Sequence, residues 1–292
     1  MNRSKIEWCD MTWNPITGCL NNCEYCYAKR LIKRFSDYPN NRLCAEYEKP
    51  IEIYHGDFAP RYKSEGEGFY TKGIPMPKLT KKTYTDEGAF VPYPYRDMPT
   101  FHTYRLDEPQ KITRPQNIFV CSMADLFGDW IPDEWIKEVF NACEKAPQHN
   151  YLFLTKNPER YVRLADSLPQ NDNFWYGSTM TNHLDKAWYY DGKSYRAINT
   201  NHPYHRKFIS IEPMQGEFYK GVQLRDFTSM FGWIIVGAET GNRKDKIIPK
   251  REWIENIVES CKNSEIPLFM KNSLTGVWGE PLIQEYPWEG RQ

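Results

Sequence analysis

The chain has 292 residues, 40% of them hydrophobic and 15% aromatic, which suffices for one domain with a sizeable core. Lys and Arg number 38 and so do Asp and Glu, so the net charge is zero and composition gives no global basic footprint for nucleic acid. No charged-then-apolar leader follows Met1, and the longest apolar run, 233–238, is too short to span a bilayer; the expectation is a soluble, cytoplasmic protein with no membrane partner.

Residues 5–17 read as a leading segment and a first strand, ended by Gly18, whose backbone freedom suits a tight loop. Cys19, Cys23 and Cys26 follow at Cys-x3-Cys-x2-Cys spacing. Three thiolates can hold three irons of a [4Fe–4S] cluster and leave the fourth open, and an open coordination position is where a metal centre does chemistry. Structural zinc wants four ligands, so Cys9, Cys44 or His55 would have to complete such a site. A redox pair made of Cys23 and Cys26 would leave Cys19 unexplained, and disulfides are disfavoured because nothing marks the chain as secreted. An iron–sulfur cluster is the best reading. Most of the remaining cysteines (9, 44, 121, 143, 261) read as small buried hydrophobes.

A helix is predicted from Tyr25 to Phe35, with Leu31, Ile32 and Phe35 on one side and Lys29, Arg30, Lys33 and Arg34 on the other. The charges make either a solvated face or an anion-binding face beside the cysteine loop. Residues 37–116, dense in Pro, Tyr, Gly and Lys, read as an irregular insertion packed over the mouth of the domain, a candidate lid. Strands are then predicted at 117–122, 151–155, 173–178, 207–211, 232–236 and 267–270. Helices are predicted at 133–146, from Pro158, at 252–262 and, more weakly, around 184–190.

Short apolar runs alternating with amphipathic helices indicate parallel βαβ units. Seven strands predict an α/β fold, a partial parallel β/α barrel, as a single domain over 1–292. In such folds the chemistry sits at the carboxyl ends of the strands. The polar residues standing there are Ser122, Asp125, Thr155, Lys156, Ser178, Thr179, Glu212, Glu239, Lys271 and Asn272, beside the cysteine loop.

The cysteine spacing, with Tyr25 before the last cysteine, resembles the signature of the radical S-adenosylmethionine superfamily. Ile6-Glu7-Trp8, Thr12-Trp13-Asn14-Pro15, Cys26-Tyr27-Ala28, Ser122-Met123-x-Asp125-Leu126-Phe127, Leu154-Thr155-Lys156, Glu212-Pro213, Gly237-x-Glu239-x-Gly241 and Phe269-x-Lys271 extend the likeness. Together they resemble a phage-associated radical S-adenosylmethionine-like family of mostly unknown function. The chain departs from it in a shorter gap between the first two cysteines, in Ala238 and Thr240, and in Asn272 after Lys271. The resemblance implies a [4Fe–4S] cluster on Cys19, Cys23 and Cys26, S-adenosylmethionine as second cofactor, and an electron donor as partner. It implies an enzyme that forms a 5′-deoxyadenosyl radical to modify a substrate, whether small molecule, nucleic-acid base or peptide. Tyr25 would border the adenine, and Ser122 and Asp125 would hold the amino group of S-adenosylmethionine. Ser178 or Thr179 would take the ribose or the carboxylate, Gly237 and Glu239 would lie along the adenosine, and Lys156, Glu212 and Lys271 would serve substrate or proton transfer. The competing reading is a non-catalytic zinc or iron–sulfur module that contacts nucleic acid or a partner protein through the basic helix and the insertion.

Overall fold

The computed structural model describes residues 1–21, 23–36, 46–47, 77–85, 87–182, 206–218, 222–279 and 281–289. The predicted helix at 184–190, Cys44, His55 and the bulk of 37–76 lie outside them.

Eight strands form the main sheet, in the order β1 (Asn2–Arg3), β2 (Met11–Trp13), β7 (Asn117–Val120), β8 (Asn150–Thr155), β9 (Phe174–Met180), β10 (Lys207–Ile211), β11 (Trp233–Val236) and β12 (Leu268–Met270). All seven strands expected from sequence are present, and all seven run parallel. Only β1 is antiparallel, pairing Asn2 with Thr12. The order runs from one edge to the other, and no closed barrel forms among the described residues. Beyond β12 the chain returns: Met270 N–H donates to Ile283 O at 2.7 Å and Glu285 N–H to Leu268 O at 2.9 Å.

The parallel strands are predominantly apolar because both faces of the sheet are covered, as parallel pairing by crossover helices dictates. Alternate residues serve alternate faces. One face packs Tyr151, Phe153, Phe174 and Tyr176 against α2 (Asp133–Glu144), whose Phe140 ring lies 5.2 Å from that of Phe153. Further along, Ile209, Ile211, Ile234 and Val236 of the same face meet α4 (Val222–Thr228) and α5 (Arg251–Asn263). The opposite face carries Trp8, Phe119, Leu152, Trp175, Phe208, Trp233 and Phe269, joined by Tyr286 and Trp288 of the returning tail. Each such side chain contributes about 1.5–3 kcal/mol on burial, so this aromatic face is a principal source of stability.

A second, four-stranded sheet was not anticipated. It orders β3 (Ile16–Thr17), β6 (Thr100–His102), β5 (Pro77–Leu79) and β4 (Glu46–Tyr47). Its strands are two or three residues long, too short for periodicity to reveal. Phe101 is fully buried and its ring lies 5.0 Å from Trp135 of α2, while Lys78 pairs with Glu138 at 3.2 Å. The described half of the insertion therefore leans on α2 and on the first strands. Cys9, Cys121, Cys143 and Cys261 are buried free thiols. Among the described residues no helix is long and apolar enough to cross a membrane.

Candidate functional site

The cysteine loop connects β3 to α1 (Tyr27–Phe35), at the edge where the parallel strands end. Gly18 turns the chain at φ +85°, and a Cβ there would lie 2.1 Å from Met98 O. The turn at 95–98 thus closes against the loop's first residue. Cys26 occupies the position before the first helical turn, its N–H bonded to Cys23 O at 3.2 Å. Cys19, Cys23 and Cys26 are all free and half-buried. Burial, with Asp125 next and then the other two sulfurs, pushes the Cys19 thiol up to about 12. Burial also raises the Cys23 thiol, while Lys156 works against it. The three sulfurs stand within electrostatic reach of one another. Among the described residues, however, no group of three or more His, Cys, Asp or Glu side chains is gathered so that it could hold a metal ion.

Asp125 is the hub beneath the loop. Its Oδ1 accepts from Phe127 N–H (3.1 Å) and the Thr155 hydroxyl (2.6 Å); its Oδ2 accepts from Asn21 Nδ2 and Lys156 N–H, both at 2.9 Å. A carboxylate offers about four acceptor sites, and these are filled. Asp125, buried and saturated, fastens the cysteine loop to the ends of β7 and β8; an incoming ammonium would have to displace one of its four donors. The Ser122 hydroxyl is turned to Asn14 Oδ1 at 3.2 Å, and its carbonyl accepts from the Tyr27 hydroxyl at 3.1 Å. Lys156 Nζ sits 5.2 Å from the centre of the Tyr25 ring. Burial opposes its charge, but Tyr25, Cys23 and Asp125 outweigh it and hold the ammonium above the ordinary lysine value.

A second group assembles at the ends of β10, β11 and β12. Lys271 pairs with Glu212 and stands 3.7 Å from Glu7. Gly237 makes room for the pair, since a Cβ there would lie 3.0 Å from Lys271 Cδ and 3.3 Å from Glu212 Cγ. Glu7 Oε1 accepts from Asn272 N–H at 3.3 Å, and its buried Oε2 has no hydrogen-bond partner among the described residues. Tyr27 links the two groups: its hydroxyl reaches Ser122, and Glu212, Cys26 and Cys9 lie within electrostatic reach of its phenol.

The structure thus gathers Cys19, Cys23, Cys26, Tyr25, Ser122, Asp125 and Lys156 in one group, and Glu212, Gly237 and Lys271 in another. Ser178 is buried in β9 with its hydroxyl unpartnered among the described residues, and half-buried Thr179 follows it. Sequence reasoning did not single out Glu7, Tyr27 or Asn14 as site residues, although each stands inside a stretch that carried the resemblance.

Glu239 makes a two-pronged ion pair with Arg243, at 2.8 Å to each oxygen, and Arg243 lies 3.5 Å from Glu24 of the cysteine loop. The hydrogen bonds from Arg243 hold the Glu239 carboxyl below the usual carboxylate range. A depressed folded-state value contributes stability that is complete above the unfolded glutamate pKa, about 4.3, and is lost as pH falls through the folded value. Glu239→Gln is therefore expected to flatten the acid limb of stability. Its unfolding midpoint should fall less than that of the wild type as pH drops below that value, and parallel acid limbs would show the pair to be energetically idle.

The profile of a family described as "Protein of unknown function (DUF5131)" matches residues 3–63 and 74–286 of the chain. No curated protein and no solved structure matches it.

Proposed function

Since the chain belongs to this family of proteins of unknown function (DUF5131), we propose its function from the site itself: a radical S-adenosylmethionine enzyme built on a partial parallel β/α barrel. The observation that carries this reading is the company kept by the three free thiols. They lie on one loop at the carboxyl edge of a parallel sheet, within electrostatic reach of one another, with Lys156 in reach of Cys23 and the Glu212–Lys271–Glu7 group beyond Tyr27.

The donor set fits a [4Fe–4S] cluster in its chemistry, three soft thiols on one loop. Cys9 is engaged elsewhere, its thiol 3.2 Å from Ser4 Oγ and 3.8 Å from Ile6 O. The thiols must still draw together to hold the group, and the Asn21–Asp125 bond anchors the loop while they do. When bound, the cluster with S-adenosylmethionine would supply one-electron cleavage of the sulfonium and hence a carbon-centred radical. The chain's own residues do the rest. Lys156 keeps a positive charge beside Cys23, offsetting some of the cost of burying that sulfur as a thiolate. Glu7 and Glu212, unlike Asp125, retain acceptor capacity for an ammonium or a substrate hydroxyl, and Lys271 between them donates.

The test is anaerobic. Protein reconstituted with iron and sulfide is given S-adenosylmethionine and dithionite, and 5′-deoxyadenosine is measured. Formation of that product is expected, falling to background in Cys19→Ala, Cys23→Ala and Cys26→Ala, while Cys9→Ser keeps its iron. A tightly held zinc with no cleavage, or iron lost as fully from Cys9→Ser as from Cys19→Ala, would overturn the reading in favour of a non-catalytic metal module.

A further inference from the structure

We propose that the exposed face of α1 and the loop following β11 together form a docking surface for single-stranded nucleic acid. Helix α1 contains Lys29, Arg30, Lys33 and Arg34 and no acidic residue. Arg30, Lys33 and Arg34 are exposed and make no ion pair among the described residues. The loop adds Arg243, Lys244 and Lys246, and the two strips abut. Gly241 lies so close to Arg30 that a Cβ there would sit 2.6 Å from the guanidinium, and Arg243 reaches Glu24 of the cysteine loop. Against these seven basic residues, the described residues of α1, the cysteine loop and the loop following β11 include three acidic ones, Glu24, Glu239 and Asp245, two of them already engaged by Arg243. A neutral protein has thus concentrated positive charge at one place, beside the candidate site. Such a local strip is what phosphodiester backbones are drawn to.

The face is not only charged. Tyr27, Leu31 and Phe35 recur every four residues along α1, exposed by 41%, 37% and 49%. The Arg34 guanidinium lies 5.3 Å from the centre of the Phe35 ring. Exposed rings flanked by guanidinium groups are platforms on which unpaired bases stack, with phosphates held alongside. The rival partner is an anionic bilayer, whose best case is the exposed Ile247 and Ile248 further along the loop. The helix argues against it, since it has nine residues and only Leu31 in its stripe is aliphatic. Because Tyr27 ends the stripe with its hydroxyl on Ser122, a strand lying on this face leads toward the site. Single-stranded nucleic acid is therefore the substrate class inferred; that last step rests on the enzyme reading, whereas the docking surface does not.

The test is fluorescence anisotropy with labelled single strands of about 20 nucleotides, longer than one binding site of this kind, RNA and DNA in separate arms. Salt is varied between about 50 and 200 mM. Binding that weakens with salt is expected, and the tighter arm identifies the sugar. Lys33→Ala with Arg34→Ala should lower affinity roughly tenfold and flatten the log–log salt slope by about 1.4, or about 0.7 per lost phosphate contact. Phe35→Ala should lower affinity about fivefold or more and leave the slope unchanged. These side chains are exposed, so melting curves should match the wild type. Absence of binding at low salt, wild-type binding by the double variant, or preference for phosphatidylserine vesicles over both strands would overturn the proposal. The measurement needs no cleavage of S-adenosylmethionine, so intact binding without 5′-deoxyadenosine would sink the enzyme and keep the surface, and the reverse result would do the opposite.

Discussion

Asp125→Ala is expected to lose about 3–5 kcal/mol of folding stability, the largest effect of any single polar substitution near the site. Four donors converge on this buried carboxylate, from residues 21, 127, 155 and 156. Removing the acceptor leaves two backbone N–H groups and the Thr155 hydroxyl proton without an acceptor, each costing about 1–3 kcal/mol where water does not enter. At roughly 2 °C per kcal/mol for a chain of this size, the melting midpoint should fall by about 6–10 °C. Asn21→Ala removes one of the four bonds and should cost about 0.5–1.5 kcal/mol, yet it should weaken iron retention as Asp125→Ala does, because Asn21 stands between Cys19 and Cys23. If Asp125→Ala melted within about 1 kcal/mol of the wild type, the carboxylate would not be a structural hub and a ligand-binding role would regain force.

Gly18→Ala is the second. An L-residue at φ +85° costs about 1–2 kcal/mol on backbone grounds alone. The added methyl also meets backbone on the facing turn, Met98 O at 2.1 Å and Asp97 O at 2.9 Å, where no rotamer change gives relief. One of the two segments must move, and Gly18 N–H stands to lose its 3.1 Å bond to Met123 O. The expected outcome is a loss of about 3 kcal/mol together with failure to retain iron. Gly18→Asn separates the causes. Asparagine tolerates this φ better than alanine but brings the same Cβ, so it should rescue little. Near-complete rescue by asparagine would assign the effect to backbone conformation and clear the turn at 95–98 of any role.

Much of the fold was readable because of how the strands are buried. The runs Tyr151–Leu154 and Trp233–Val236 are apolar throughout, and Phe208–Ile211 is apolar but for Ser210, because helices cover one face and aromatic side chains the other. Such runs survive without any knowledge of their partners. The small sheet was not readable, since β3 and β6 are single turns of the alternation joined across more than eighty residues. Helix α4 also escaped notice: seven residues containing Gln, Arg, Asp and Thr leave little apolar pattern. At the site, spacing alone picked out Cys19, Cys23 and Cys26, and position after a strand picked out Lys156, Glu212 and Lys271. Glu7 could not be found that way, because its partner Asn272 lies 265 positions away. Nor could the duty of Asp125, since a carboxylate after a strand reads the same whether it faces a ligand or four donors of its own chain.

The two ends of the main sheet bear on how the protein behaves in concentrated solution. At one end β1 offers two exposed polar residues; at the other, the tail lays Ile283, Gln284 and Glu285 along β12, with Trp233 Nε1 donating to Glu285 O at 2.9 Å. A bare parallel edge of Leu-Phe-Met would be a template on which a second copy could add its own strand, and a third on that. Both described edges of this sheet are blunted, one by brevity and charge and the other by residues 283–285, so that neither presents a bare apolar template for a second copy.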